Sequence, residues 1–149
     1  MHSYNDDFTH IALIAAGHLL KKQECFDVVE KYARWLMKEQ NPDGSLGDPV
    51  VWVGSATAPV LWQDLFALTG KKEYQDASIK AVKYLMTLQE TKKGNTNTYG
   101  GFYANNEVEG AICARAGTYG PIALLKCEGT VKGPYLSALN ADGSYYIDS

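Results

Sequence analysis

Apolar residues return along this chain with the period of a helix, and the period keeps breaking at Gly, Pro, Asn and Asp. Phe8, Ile11, Ala15 and Leu19 share one face of a helix expected over about residues 7 to 21. Cys25, Val28, Tyr32 and Leu36 line a second helix, and Tyr74, Ala77, Ala81, Leu85 and Leu88 line another of the same kind. Between them, residues 57 to 69 read as a helix with Thr57 as N-cap, Pro59 in the first turn and Gly70 closing it. Farther on, Gly117, Gly120 and Pro121 interrupt the pattern. There a helix either runs from about residue 109 with a kink or starts near Pro121. A short helix over about 133 to 139 then precedes Asn140-Ala141-Asp142-Gly143-Ser144. No β-alternating stretch of useful length remains, so the predicted fold class is all-α.

The helices repeat. Residues 31–40, KYARWLMKEQ, align with residues 80–89, KAVKYLMTLQ, at the spacing of 49 that separates Leu36 from Leu85. Lys31, Leu36, Met37 and Gln40 recur as Lys80, Leu85, Met86 and Gln89, with Tyr84 at the place of Trp35. NPDGSL at 41–46 returns as NADGSY at 140–145, 99 residues on and close to twice that spacing. Each unit is a helix, a tight turn through KKQEC or GKKEY, a second helix and a Gly-containing loop. A short turn makes the two helices antiparallel neighbours. The expected organisation is a single domain over 1–149 built of three hairpins, about 1–46, 47–102 and 103–149.

Composition narrows the picture only a little. The 149 residues suffice for one core, and a net charge of −3 gives no basic footprint for nucleic acid. No apolar run approaches the length of a membrane span, and no basic-then-apolar leader is visible, so a cytoplasmic protein is expected. Cys25, Cys113 and Cys127 are odd in number and form no CxxC pair. They read as buried free thiols and not as a disulfide framework or zinc knuckle. Neither a Walker loop, GxGxxG nor His-Glu-x-x-His is present, and no cofactor or metal is expected. His10 and His18 read as helix histidines, and Trp35 and Trp62 as packing residues between helices.

Trp35-Leu36-x-x-x-Gln40-x-x-x-Gly44-x-Leu46 resembles the repeat of terpenoid cyclases and protein prenyltransferases, an aromatic-Leu-x3-Gln followed by Gly-x-Trp. Tyr84-Leu85-x-x-x-Gln89 with Gly100-Gly101-Phe102 is a looser copy. Tyr135-Leu136 leading to Gly143-Ser144-Tyr145 is a third, with Asn140 in place of Gln. Leu46, Phe102 and Tyr145 stand where that family has Trp. The chain also has no Asp-x-Asp-Asp, and Asp6-Asp7-Phe8-Thr9-His10 does not complete Asp-Asp-x-x-Asp. Segments such as LFALTGKKEYQDASIKAVKYL are similar to the six-hairpin glycosidases and related carbohydrate enzymes. The resemblance implies antiparallel hairpins arranged as an α/α toroid or part of one. Three hairpins make half of such a ring: the chain is a fragment of a larger toroid, an open arc, or one of two copies that complete the ring. The apolar edges of an arc lead to the expectation of self-association.

In a toroid the loops after the outer helices gather at one mouth. Four stretches would meet there, each with an aromatic and a carboxylate: Tyr4 with Asp6 and Asp7, Trp52 with Asp48, Tyr103 with Glu107 and Glu109, Tyr146 with Asp148. Aromatic faces with carboxylates suit an oligosaccharide, and two carboxylates across a glycosidic bond supply an acid and a base. Glu107, Glu109, Asp48 and Asp6 are the catalytic candidates. Trp52, Tyr103, Tyr4, Tyr146 and Arg115 are the binding candidates, with Arg115 suited to an acidic substrate group. The expected function is carbohydrate-active: hydrolase, lyase or epimerase-like. An isoprenoid-binding cyclase relative and a non-catalytic scaffold that binds a partner protein are the alternatives. Carboxylates ahead of a helix also cap it, stabilising by about 0.5–2 kcal/mol with no ligand at all. Gln40 and Asp43-Gly44-Ser45 read as punctuation that ends one hairpin and aims the chain into the next.

Overall fold

A computed structural model describes residues 6–47, 54–94, 97–103 and 112–130, with the side chains of 6–8, 54–55 and 114–115 left outside that description. Among the described residues there are five helices and no strand: α1 Asp6–Leu20, α2 Gln23–Lys38, α3 Gly54–Thr69, α4 Lys72–Thr87 and α5 Ala114–Cys127. The all-α expectation holds. The expected short helix at 133–139 and the NADGS turn lie outside the described residues. None of these helices is long and apolar enough to cross a membrane.

The 49-residue spacing read from the sequence is also the spacing of the structure. Gln23 and Lys72 open α2 and α4, and Lys38 and Thr87 close them. Lys21 and Gly70 occupy the same place between the paired helices, and both are left-handed, with φ of 53° and 69°. The amide of Lys22 donates to the Gly17 carbonyl at 3.0 Å, and that of Gly70 to Phe66 at 2.8 Å, so each turn closes the helix before it. A two-residue turn then sends α2 back along α1, and α4 back along α3.

α1, α3 and α5 form one layer, with α1 and α5 on either side of α3; α2 and α4 cover it. Glu30 and Arg34 of α2 meet Lys71 and Glu73, and Gln40 meets Ala77, so α2 and α4 run in the same direction. Ala56 packs in one cluster with Ala116, while Asp64 meets Lys126, so α3 and α5 are parallel as well. All three helices of the first layer therefore begin at one end of the molecule. The turns 21–22 and 70–71 lie at the other.

α3 is the centre of this arrangement. Every residue from Ala56 to Leu65 is buried, as expected for a helix apolar on all sides. Trp62 is fully enclosed, and its indole N–H donates to the Ala33 carbonyl of α2 at 3.2 Å. The Ser78 hydroxyl of α4 donates to the Pro59 carbonyl at 2.9 Å. Thr57, expected as an N-cap, lies inside the helix and is fully buried. Burial of Ala56, Thr57 and Ala58 between neighbours carries the helix beyond the point where capping residues alone would start it. α5 starts at Ala114 and takes Gly117, Gly120 and Pro121 inside it, between the two expected alternatives of a start at about 109 and one near Pro121. Gly120 lets α5 approach, because a Cβ there would lie 3.0 Å from Leu85 Cδ2.

Two apolar faces differ from expectation. The buried stripe of α2 is Val29, Ala33 and Leu36, and Val28 is 51% exposed. Ala33, a small residue under Trp62, moves the stripe by one position. On α1 the buried face is Ile11, Ile14 and Ala15, while Leu19 in the last turn is 47% exposed.

Gly44 and Gly100 offer a direct test of how the first loop sits on α4. Both have positive φ, 98° and 83°, and each lies two residues before the apolar residue that closes its loop. A Cβ on Gly44 would stand 2.1 Å from the Lys80 carbonyl oxygen, whereas one on Gly100 meets nothing within 4 Å. Gly100→Ala should cost about 1–2 kcal/mol of unfolding free energy from backbone strain alone. Gly44→Ala should cost about 2–5 kcal/mol, because the loop must also leave α4. Lys21→Gly should stabilise by about 0.5–1 kcal/mol. Urea denaturation of the three variants checks all three values.

Candidate functional site

The two loops that follow α2 and α4 are built alike. In the first, Gln40 forms an isolated antiparallel bridge with Leu46; in the second, Gln89 forms one with Phe102. Leu46 and Phe102 are both buried, and so they anchor the returning strand of each loop on the core. The Gln side chain spans its own loop, donating to the Gly44 carbonyl at 3.5 Å in the first and to Gly100 at 3.2 Å in the second. Gln40 also donates to the Ala77 carbonyl of α4 at 3.0 Å. Asp43 Oδ1 accepts from the Ser45 hydroxyl at 2.7 Å and the Ser45 amide at 2.9 Å. Those two bonds, the hydroxyl first, hold the Asp43 carboxyl below the usual carboxylate range. Gln40 and Asp43-Gly44-Ser45 therefore act as structural punctuation, as their sequence suggests.

The second loop holds a buried carboxylate that the sequence does not advertise. Glu90 is only 6% exposed. Its Oε1 accepts the Lys92 amide at 2.7 Å, and its Oε2 accepts the Tyr103 hydroxyl. Its backbone pairs with the returning strand, Glu90 N–H to the Gly101 carbonyl and Gly100 N–H to the Glu90 carbonyl, both at 2.8 Å. Tyr103 N–H donates to Leu88, and a further bridge joins Tyr103 to Ile112, just before α5. The loop is thus stitched from the end of α4 to the start of α5, with the Tyr103 ring held by its hydroxyl.

Of the sequence-derived candidates, Tyr103 alone has a described side chain, and it is half-buried at this end of the fold. Asp6 and Arg115 lie in the first turns of α1 and α5, with their side chains outside the description. Tyr4, Asp48, Trp52, Glu107, Glu109 and Tyr146 lie outside the described residues. Asp7 and Asp148, the remaining carboxylates of those four stretches, have no described side chain either. His10 stacks flat on Tyr32, with ring centroids 3.8 Å apart and planes 6° from parallel, and Tyr32 in turn meets Trp35 at 5.6 Å. His10 is a packing residue between α1 and α2. Among the described residues no cluster of His, Cys, Asp and Glu is arranged to hold a metal ion.

A second buried carboxylate lies deeper. Asp64 Oδ1 accepts from Lys126 Nζ at 2.7 Å, with the two side chains 0% and 2% exposed. Beside it the Cys127 thiol accepts from Gln63 Nε2 and meets the Ser78 hydroxyl, each at 3.3 Å. Burial pushes the Cys127 thiol up, against a smaller opposing effect of those two bonds, so it is not a ready thiolate. This cluster ties α5 to α3 and α4. Sequence reasoning missed it although a signal was present: Asp64 is the one charged residue of α3, and a lone charge in an apolar helix needs a buried partner. Glu90 carried no such signal, since a Glu before two lysines reads as solvated.

No family model, curated protein or solved structure gives a significant match to this chain.

Three substitutions follow from these contacts. Glu90→Ala removes the acceptor of the Lys92 amide and of the Tyr103 hydroxyl and should cost about 1–3 kcal/mol. Glu90→Gln should cost well under half of that, because an amide accepts from Lys92 N–H and donates to the Tyr103 oxygen. Denaturation curves and amide exchange at Lys92 and Gly100 read both. Lowering of the Asp43 carboxyl gives stability that is present above its unfolded value, about 3.9, and lost as pH falls through the lower folded one. Asp43→Asn should therefore flatten the acid limb of the stability–pH curve below about pH 4 and leave its shape above pH 6 unchanged.

Proposed function

We propose that the protein is carbohydrate-active, an arc of α/α hairpins that takes an oligosaccharide at the end where α1, α3 and α5 begin. The observation that carries this reading is the common direction of those three helices. Each segment entering them carries part of the aromatic and acidic set: Tyr4 and Asp6 ahead of or within the start of α1, Asp48 and Trp52 ahead of α3, and Tyr103, Glu107 and Glu109 ahead of α5, with Arg115 in its first turn. The burial of α3 from Ala56 to Leu65 supports the same end. A partner lying along the middle helix would need an open face there, so the scaffold reading has less support.

In this reading Glu107 and Glu109, with Asp48 or Asp6, supply the acid and base. Trp52, Tyr103, Tyr4 and Tyr146 stack on sugar faces, and Arg115 pairs with an acidic substituent. The Tyr103 hydroxyl donates to Glu90, so its proton is already committed and the ring face is its main contribution. Self-association belongs to the same reading, with two arcs completing a ring.

The test is isothermal titration with neutral and uronic-acid oligosaccharides, alongside light scattering for the mass. A binding sugar is expected to lose about tenfold in affinity on Tyr103→Ala, the loss of one stacking face worth about 1–1.5 kcal/mol. Tyr103→Phe should stay within about threefold, a shift of under 1 kcal/mol. Equal losses in the two variants would remove the stacking role. Absence of binding across the panel would remove the carbohydrate reading.

A further inference from the structure

We draw no further inference here: the strongest candidate, the row of exposed leucines Leu19, Leu20, Leu68 and Leu125 near the C-terminal ends of α1, α3 and α5, is an unpartnered apolar surface, and nothing in the structure shows what covers it.

Discussion

The docking of one short loop on the side of a helix holds this fold in register. Residues 40–47 leave α2 and lie so close to α4 that Gly44 has no room for a Cβ beside the Lys80 carbonyl. Gln40 reaches from the same loop to the Ala77 carbonyl. Helix carbonyls at 77 and 80 already serve as acceptors within α4, and a second donor or close neighbour there fixes the loop to about one residue. With Glu30 and Arg34 meeting Lys71 and Glu73 an α-helical stretch earlier, α2 and α4 run in the same direction, and the hairpin turns then orient α1 and α3. The exposed ion pairs Arg34–Glu73 and Lys71–Glu30 lie along the same seam. As surface pairs they add little.

α3 receives the packing that follows. It meets α1, α2, α4 and α5 and accepts a polar tie from two of its neighbours, Ser78 to Pro59 and Lys126 to Asp64. The second is an ion pair whose two side chains are almost wholly buried. Such a pair contributes less to stability than its Coulomb attraction suggests, because both ions lose their water. Its effect is on alternatives: any slip of α5 along α3 would pull Lys126 Nζ away from Asp64, and breaking a buried pair costs roughly 3–5 kcal/mol. Register, more than net stability, is what this buried charge provides.

Much of this was legible in the sequence. The helical period, the 49-residue spacing and the Gln-to-Gly loops predicted the elements and their antiparallel pairing, since local pattern and turn chemistry agree there. Errors arose where tertiary burial outweighed local grammar. Thr57 looks like a cap and is core; Val28 looks like core and is exposed, because Ala33 beneath Trp62 rotates the buried stripe. Pro121 looks like a start and sits inside α5, where Gly120 admits Leu85 and Phe102. Of the candidate site, the sequence indicated Tyr103. It could not indicate Glu90, whose burial is produced by a loop closing between residues thirteen apart.

The proposed function places a ligand at the loop end of the fold. Its most direct test is an amide chemical-shift titration of the whole chain with the neutral and uronic-acid oligosaccharides. The account predicts shifts at Leu46, Gly101 to Tyr103, and the first turns of α1, α3 and α5, with Lys21, Gly70 and Gly129 unmoved. Shifts centred on those three turn residues, or along the exposed sides of α2 and α4, would contradict it.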